Sequence, residues 1–106
     1  MATVLIESDK GRTLDIRVGD AVSVRLSENA TTGYRWAIDQ NDESLVEVTG
    51  SAPLYNSDAI GSGGDITFDF KAKKAGAAIV VLKNWRQWEG DSSVTDRFEF
   101  KLNILP

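Results

Sequence analysis

The sequence predicts an all-β protein, an immunoglobulin-like β-sandwich of seven or eight strands with three functional loops at one end. Apolar and polar residues alternate in short runs, which is the period of a half-buried strand. Turn residues separate these runs at intervals of roughly ten residues, as in sandwich folds. The chain also lacks a convincing stretch with the 3.6-residue period of a helix.

The first half of the chain contains four predicted strands. Residues 3–7 are apolar and β-branched, and residues 12–18 and 22–26 alternate between apolar and polar side chains after glycine-containing turns. Residues 34–39 alternate around Trp36. We expect Trp36 to be the buried core tryptophan of a sandwich that has no inter-sheet disulfide.

The second half continues the pattern with one long interruption. Residues 45–48 form a short predicted strand, whereas glycine, proline and asparagine make residues 50–64 irregular. Residues 66–71 and 97–104 alternate clearly. Residues 77–82 are apolar on both faces, which indicates a central strand.

The composition narrows the range of functions. With 106 residues the chain has the size of one domain, so we expect a single domain over residues 1–106. The formal charge of −4 argues against nucleic-acid and membrane partners, which would favour a basic surface. Cysteine and histidine are both absent. Their absence removes disulfides, Cys/His zinc sites and Ser–His or Cys–His pairs, and therefore most hydrolytic chemistry.

The sequence does not assign a compartment. No apolar run approaches the ~18 residues of a transmembrane helix. The first residues lack the basic and apolar segments of a signal peptide, so we expect a cytoplasmic protein if the chain is complete.

Two of the predicted loops consist of small and polar residues. Asn29-Ala30-Thr31-Thr32-Gly33 leads into Tyr34 and places two adjacent hydroxyls at the end of a rigid strand. Gly61-Ser62-Gly63-Gly64 offers bare backbone that another chain can approach and pair with. A plain turn and a flexible hairpin loop are the structural alternatives for these two segments.

The third predicted loop, residues 85–96, carries two tryptophans among charged residues. Arg86-Gln87-Trp88 lies where no strand period requires a large aromatic side chain. Trp and Arg are the residues most enriched at binding hot spots, because a rigid indole buries a large area at a small entropic cost. Alternatively, the indoles of Trp85 and Trp88 fold back on the rim of the sandwich.

Together the three loops resemble the motifs of the chagasin family, inhibitors of papain-type cysteine peptidases. The family pattern is Asn-Pro-Thr-Thr-Gly-aromatic-x-Trp, then Gly-x-Gly-Gly, then Arg-Pro-Trp. This chain has the corresponding residues 29–36, 61–64 and 86–88 in the same order and spacing. Ala30 and Gln87 replace the family's prolines. Because proline restricts a free loop, each loss costs about 0.4–1 kcal/mol of preorganisation, and we expect weaker or slower inhibition.

The resemblance implies a protein inhibitor, not an enzyme, that acts without covalent chemistry, cofactor or metal. Its partners would be papain-like cysteine peptidases, and we expect it to be a monomer. Thr31 and Thr32 would sit over the catalytic cysteine and histidine of the peptidase. Residues 61–64 would lie along the unprimed side of the cleft. On the primed side, Trp88 would stack on aromatics, and Arg86 would reach an acidic or carbonyl group.

Two other functions remain open at this point. An immunoglobulin-like binding or adhesion module could use the same three loops without inhibiting a peptidase. A carboxylate-based hydrolase would need two acidic residues at one cleft. Its loop candidates are Asp58, Asp65, Glu89 and Asp91.

Overall fold

The alternating runs fold into eight β-strands in the part of the chain that the computed structural model describes, residues 2–28, 33–55 and 64–106. In chain order the strands are β1 (Ala2–Leu5), β2 (Thr13–Arg17), β3 (Ala21–Glu28), β4 (Arg35–Gln40), β5 (Val46–Tyr55), β6 (Gly64–Ala72), β7 (Gly76–Trp85) and β8 (Asp96–Leu105). Short 3₁₀ turns occupy Glu7–Asp9, Gln87–Glu89 and Asp91–Ser93. No helix in this part of the chain is long and apolar enough to cross a membrane.

The strands form two four-stranded sheets. The first sheet has the order β1-β3-β6-β5, and the second has the order β2-β8-β7-β4. The pairs β1–β3 and β2–β8 are parallel, and the other pairs are antiparallel. Strand β7 lies between β8 and β4, which confirms the prediction of a central strand at residues 77–82.

The core lies between the two sheets and is built from every second residue of the strands. Phe70 of the first sheet meets Phe100 of the second, with ring centroids 5.6 Å apart in an edge-on geometry. Trp36 is 8% exposed and belongs to this core, as predicted. Burial of such alternating apolar faces is the main force that holds the sheets together. The sandwich architecture predicted from the alternation is therefore confirmed.

The boundaries around residues 50–64 differ from the prediction. Strand β5 continues to Tyr55, and β6 already begins at Gly64, so residues 50–55 and 64 belong to strands and are not irregular as expected. A shift of register between Val48 and Gly50 marks a bulge. Pro53 is tolerated because β5 is an edge strand, in which a missing N–H does not remove a ladder bond from a second neighbour.

The turn between β1 and β2 contains an acidic side chain that stabilises it. The Asp9 carboxylate accepts a hydrogen bond of 2.9 Å from the backbone N–H of Ile6 and lies 3.1 Å from the Arg12 guanidinium. The Ile6 hydrogen bond, assisted by Arg12, lowers the pKa of Asp9 below 3.8. A lowered pKa in the folded state means that this stabilisation is present above pH 3.8 and is lost as the pH falls through the folded value.

We expect Asp9→Asn to reduce the free energy of unfolding more at about pH 7 than at about pH 2, because acid progressively protonates the wild-type carboxyl and removes the stabilisation that its charge provides. Urea unfolding of both proteins at the two pH values measures this difference. Glu47→Gln removes an exposed carboxylate from β5 and is the charge-matched control. A wild-type advantage over Asp9→Asn that is equally large at both pH values would contradict the prediction.

Candidate functional site

The strands that flank the three predicted loops end together at one end of the sandwich, and we name the loops by their composition. The threonine loop is residues 29–34, the glycine loop is residues 56–63, and the tryptophan loop is residues 86–95. In the first sheet, Gly64 pairs with Glu28 and also with Tyr55, so the threonine loop begins beside both ends of the glycine loop.

The second sheet brings the tryptophan loop to the same place. Arg35, the first residue of β4, pairs with Trp85, the last residue of β7. The threonine loop therefore ends where the tryptophan loop begins. Strand register alone places the bases of the three loops together, although they are far apart in sequence.

The two sheets are joined at this end by Trp36 and Glu28. The indole N–H of Trp36 donates to the carbonyl oxygen of Ser27 over 2.9 Å, and its backbone N–H donates to Glu28 Oε2 over 3.1 Å. Arg35 lies 3.7 Å from the other oxygen of the same carboxylate. Glu28 is only 3% exposed. A buried carboxylate is stable only when it is paired and hydrogen-bonded, and here those partners connect both ends of the threonine loop.

Sequence reasoning missed Glu28, although a signal was present. Val22, Val24 and Leu26 alternate towards the core, and the same period makes position 28 the next inward position. A glutamate at an inward position, directly before a loop, indicates a buried polar anchor.

The exposed indole of Trp88 packs against the threonine loop. Trp88 is 71% exposed, so it does not fold back into the sandwich rim. Gly33 has φ +79°, and a Cβ at this residue would lie 2.5 Å from Trp88 Cη2. Gly33 thus serves two purposes, since only glycine takes this φ easily and only glycine leaves room for the indole.

Arg86 joins the same two loops. Its guanidinium lies over the ring of Tyr34, with Cζ 4.4 Å from the ring centroid, and 3.4 Å from the Glu89 carboxylate. Stacking of this kind is attractive because the ring face is electron-rich. Arg86 is therefore already engaged within the protein, and its predicted contact with a partner stays a prediction.

The tryptophan loop is closed on itself by Ser93, which sequence reasoning also missed. The Ser93 hydroxyl is buried, accepts from the backbone N–H of Arg86 over 2.9 Å and lies 2.6 Å from the carbonyl oxygen of Gly90. The two 3₁₀ turns flank Gly90 and give the loop regular local structure. These contacts restrict the loop where Gln87 stands in place of proline.

Trp85 and Trp88 occupy different environments. Trp85 is half-buried as the last residue of β7, and the Lys83 ammonium lies 3.6 Å from its ring centroid. This position agrees with the alternative in which an indole folds back on the rim. The two tryptophans therefore differ, one forming part of the scaffold and the other projecting from the loop.

The predicted site residues fall into two groups. Those within the described residues are Gly33, Tyr34, Gly64, Arg86, Gln87 and Trp88, and the register or direct contacts bring them to one end of the sandwich. Gly64 is not a loop residue as predicted, because its backbone pairs with two strands at the start of β6. The others lie outside the described residues: Asn29, Ala30, Thr31, Thr32, Gly61, Ser62 and Gly63.

The acidic residues considered for hydrolysis are engaged with separate cations. Asp65 lies 2.7 Å from Arg25 on the first sheet, whereas Asp91 lies 3.0 Å from Lys83 on the second. Glu89 pairs with Arg86. Asp58 lies outside the described residues. These three carboxylates form separate ion pairs and do not face one another across a common cleft.

We expect Gly33→Ala to displace the Trp88 indole, because the added methyl group would overlap Cη2. Gly11→Ala is a matched control, since Gly11 has nearly the same φ, +80°, with no atom within 4 Å of its added Cβ. Both variants should lose about 1–2 kcal/mol from left-handed backbone strain. Only Gly33→Ala should shift the indole N–H resonance of Trp88 in an NMR spectrum. Equal indole shifts in both variants would contradict the contact.

Solved structures share this architecture. A cysteine protease inhibitor from Entamoeba histolytica, EhICP2, superposes with a TM-score of 0.88 at 23% identity, over 99% of this chain and 97% of that one. PbICP-C, solved in complex with falcipain-2, superposes with a TM-score of 0.72 at 17% identity, over 98% of both chains. At these identities the likeness establishes the fold.

Sequence relatives identify the family. Chagasin from Trypanosoma cruzi is 31% identical in an alignment of 103 positions that covers 92% of this chain and 94% of the relative. The model of the chagasin family of peptidase inhibitors, family I42, matches residues 15–104, which is most of the chain. Members of this family are peptidase inhibitors and not enzymes. The chain therefore belongs to the chagasin family of peptidase inhibitors.

Proposed function

We propose that this chain inhibits papain-like cysteine peptidases reversibly, tightly and competitively, by inserting its three loops into the active-site cleft. The chain would act as one inhibitor domain and as a monomer. Membership of the chagasin family supports inhibition, and the complex of its structural neighbour PbICP-C with falcipain-2 supports a cysteine-peptidase partner. The convergence of three loop bases at one end is the observation that carries the three-loop mechanism.

The roles of the loops follow from their chemistry. The threonine loop would fill the polar centre of the cleft, where the peptidase holds its catalytic cysteine and histidine, without presenting a scissile bond in attack geometry. The glycine loop would lie along the unprimed side as extended backbone, because glycine allows close approach. Trp88 would supply the apolar anchor on the primed side.

Preorganisation supports tight binding. An inhibitor of this kind buries an interface of standard size, on the order of 1,600 Å² in total. Interface area does not determine affinity, because ordering loops on binding costs about 0.5–1.5 kcal/mol for each immobilised flexible side chain. Trp88 already rests on Gly33, and Arg86 already rests on Tyr34. Part of that ordering is therefore complete before the peptidase arrives.

Titration of papain with the pure protein, at several substrate concentrations, tests this proposal. We expect full loss of activity at stoichiometric inhibitor, an apparent inhibition constant that rises with substrate, and recovery of activity on dilution. A peptidase that remains fully active would overturn the proposal and favour the non-inhibitory binding module. Cleavage of the inhibitor at the same rate as inactivation would exclude reversible competitive binding.

Trp88→Ala should raise the inhibition constant at least ~10-fold, because a hot-spot aromatic contributes more than ~1.4 kcal/mol. Ile79→Ala is the matched control. It removes an apolar side chain that is 41% exposed on β7 and lies about six residues, or roughly 20 Å, from the loop end. An unchanged constant for Trp88→Ala would remove the tryptophan loop from the binding surface.

Thr31→Ala should weaken inhibition without lowering the melting temperature, because its hydroxyl would contact the peptidase and not the scaffold. Thermal unfolding and inhibition of the same preparation measure the two effects. If the melting temperature falls strongly while inhibition by the remaining folded protein is normal, Thr31 acts in a plain turn.

A further inference from the structure

Lys83 occupies an unusual position for a lysine. Strand alternation directs Leu82 into the core and Lys83 to the outer face of the second sheet, where solvent exposure would be expected. The side chain of Lys83 is nevertheless only 11% exposed. It is covered by Trp85 and by the tryptophan loop, which folds over this face.

The Lys83 ammonium is held by three groups. Its Nζ donates to Asp91 Oδ1 over 3.0 Å, lies 3.4 Å from Asp39 Oδ1, and lies 3.6 Å from the centroid of the Trp85 ring. Arg97 pairs with the other oxygen of Asp39 and fixes that carboxylate. The hydrogen bond to Asp91 raises the pKa of Lys83, so the lysine stays charged throughout the range in which peptidases are assayed.

The contact between Lys83 and Asp91 connects the tryptophan loop to the second sheet, and no other described contact of Asp91 does so. Asp91 begins the second 3₁₀ turn of the tryptophan loop, three residues after Trp88, whereas Lys83 and Asp39 belong to the sheet. Ser93 closes the loop on itself. The orientation of the tryptophan loop relative to the sandwich needs a constraint beyond the Ser93 contacts, since residues 86–95 contain no proline.

We propose that Lys83 is a positioning residue for inhibition, which holds the tryptophan loop on the sheet so that Trp88 rests on Gly33 in its binding orientation. This inference rests on the proposed function. Lys83 itself is too buried to serve as the main contact for a peptidase, so its effect passes through Trp88. Asp91, the partner of Lys83 in the tryptophan loop, is 81% exposed.

A double-mutant cycle shows whether Lys83 acts through Trp88 or contacts the peptidase itself. Lys83→Met keeps most of the apolar stem and removes the charge. We expect this change alone to raise the inhibition constant for papain about 5-fold or more, the range of coupled neighbours. In a Trp88→Ala background, the same change should alter the constant by less than about 2-fold. Multiplicative, independent effects in the double variant would overturn the inference, as would an unchanged constant for Lys83→Met alone.

Two further variants control for charge and for folding. Lys101→Met removes an exposed lysine from the adjacent strand β8 and should leave the inhibition constant unchanged. Asp91→Asn removes the exposed charge of the Lys83–Asp91 ion pair. This variant should also raise the inhibition constant, and it tests the inference even if Lys83→Met fails to fold. Normal inhibition by Asp91→Asn would contradict a positioning role for the Lys83–Asp91 ion pair.

A structural measurement separates this inference from the proposed function. In Lys83→Met, the indole N–H resonance of Trp88 should shift, and the amides of Ser93 and Val94 should exchange faster while core amides of β7 keep their protection. If wild-type protein does not inhibit papain, the proposed function fails, and these two observations still decide whether Lys83 positions the loop. If wild type inhibits and neither observation appears, only the role of Lys83 fails.

Discussion

The join between the two sheets beneath the threonine loop is the constraint on which the site depends. Trp36 donates two hydrogen bonds to consecutive residues of β3, one to the Ser27 carbonyl and one to the Glu28 carboxylate. A buried acceptor left without donors costs about 1–3 kcal/mol, so the pairing strongly favours one separation of the strands. Because these strands carry the two ends of the threonine loop, the same bonds determine the width of the loop's base. The neighbouring ladders then place the bases of the other two loops beside it.

The loop end of the sandwich combines a rigid scaffold with contacts between the tryptophan loop and residues 33–34. The family's prolines restrict the loops through the backbone, whereas this chain has Ala30 and Gln87 at those positions. In the tryptophan loop, side-chain contacts provide an alternative restraint. Ser93 closes the loop, and Gly33 receives the Trp88 indole. Restraints of this kind act in the folded state, whereas proline also reduces the entropy of the unfolded chain. The two kinds of restraint therefore affect the stability of the protein in different ways.

Charge has a structural role at this end of the molecule. The protein is acidic overall, with a formal charge of −4, yet its basic residues Lys83, Arg86 and Arg35 lie at the bases of the loops. Each of them lies beside a carboxylate, and two also lie over an aromatic ring. Their importance here is geometric, since they select one orientation for segments whose apolar contacts are few.

The sequence by itself determined the sandwich, the alternating core with Trp36 inside, the central strand β7 and the three candidate loops, because these features depend on local period and local composition. Tertiary structure alone decided that Gly64 belongs to a strand, that Glu28 is a buried anchor, and that Lys83 is covered while Trp88 is not. The reason is physical. Whether a charged side chain is solvated depends on what other segments place over it, and strand alternation specifies only the face from which it projects. The partners of Lys83 come from β4 and from the tryptophan loop, and only the fold brings them together.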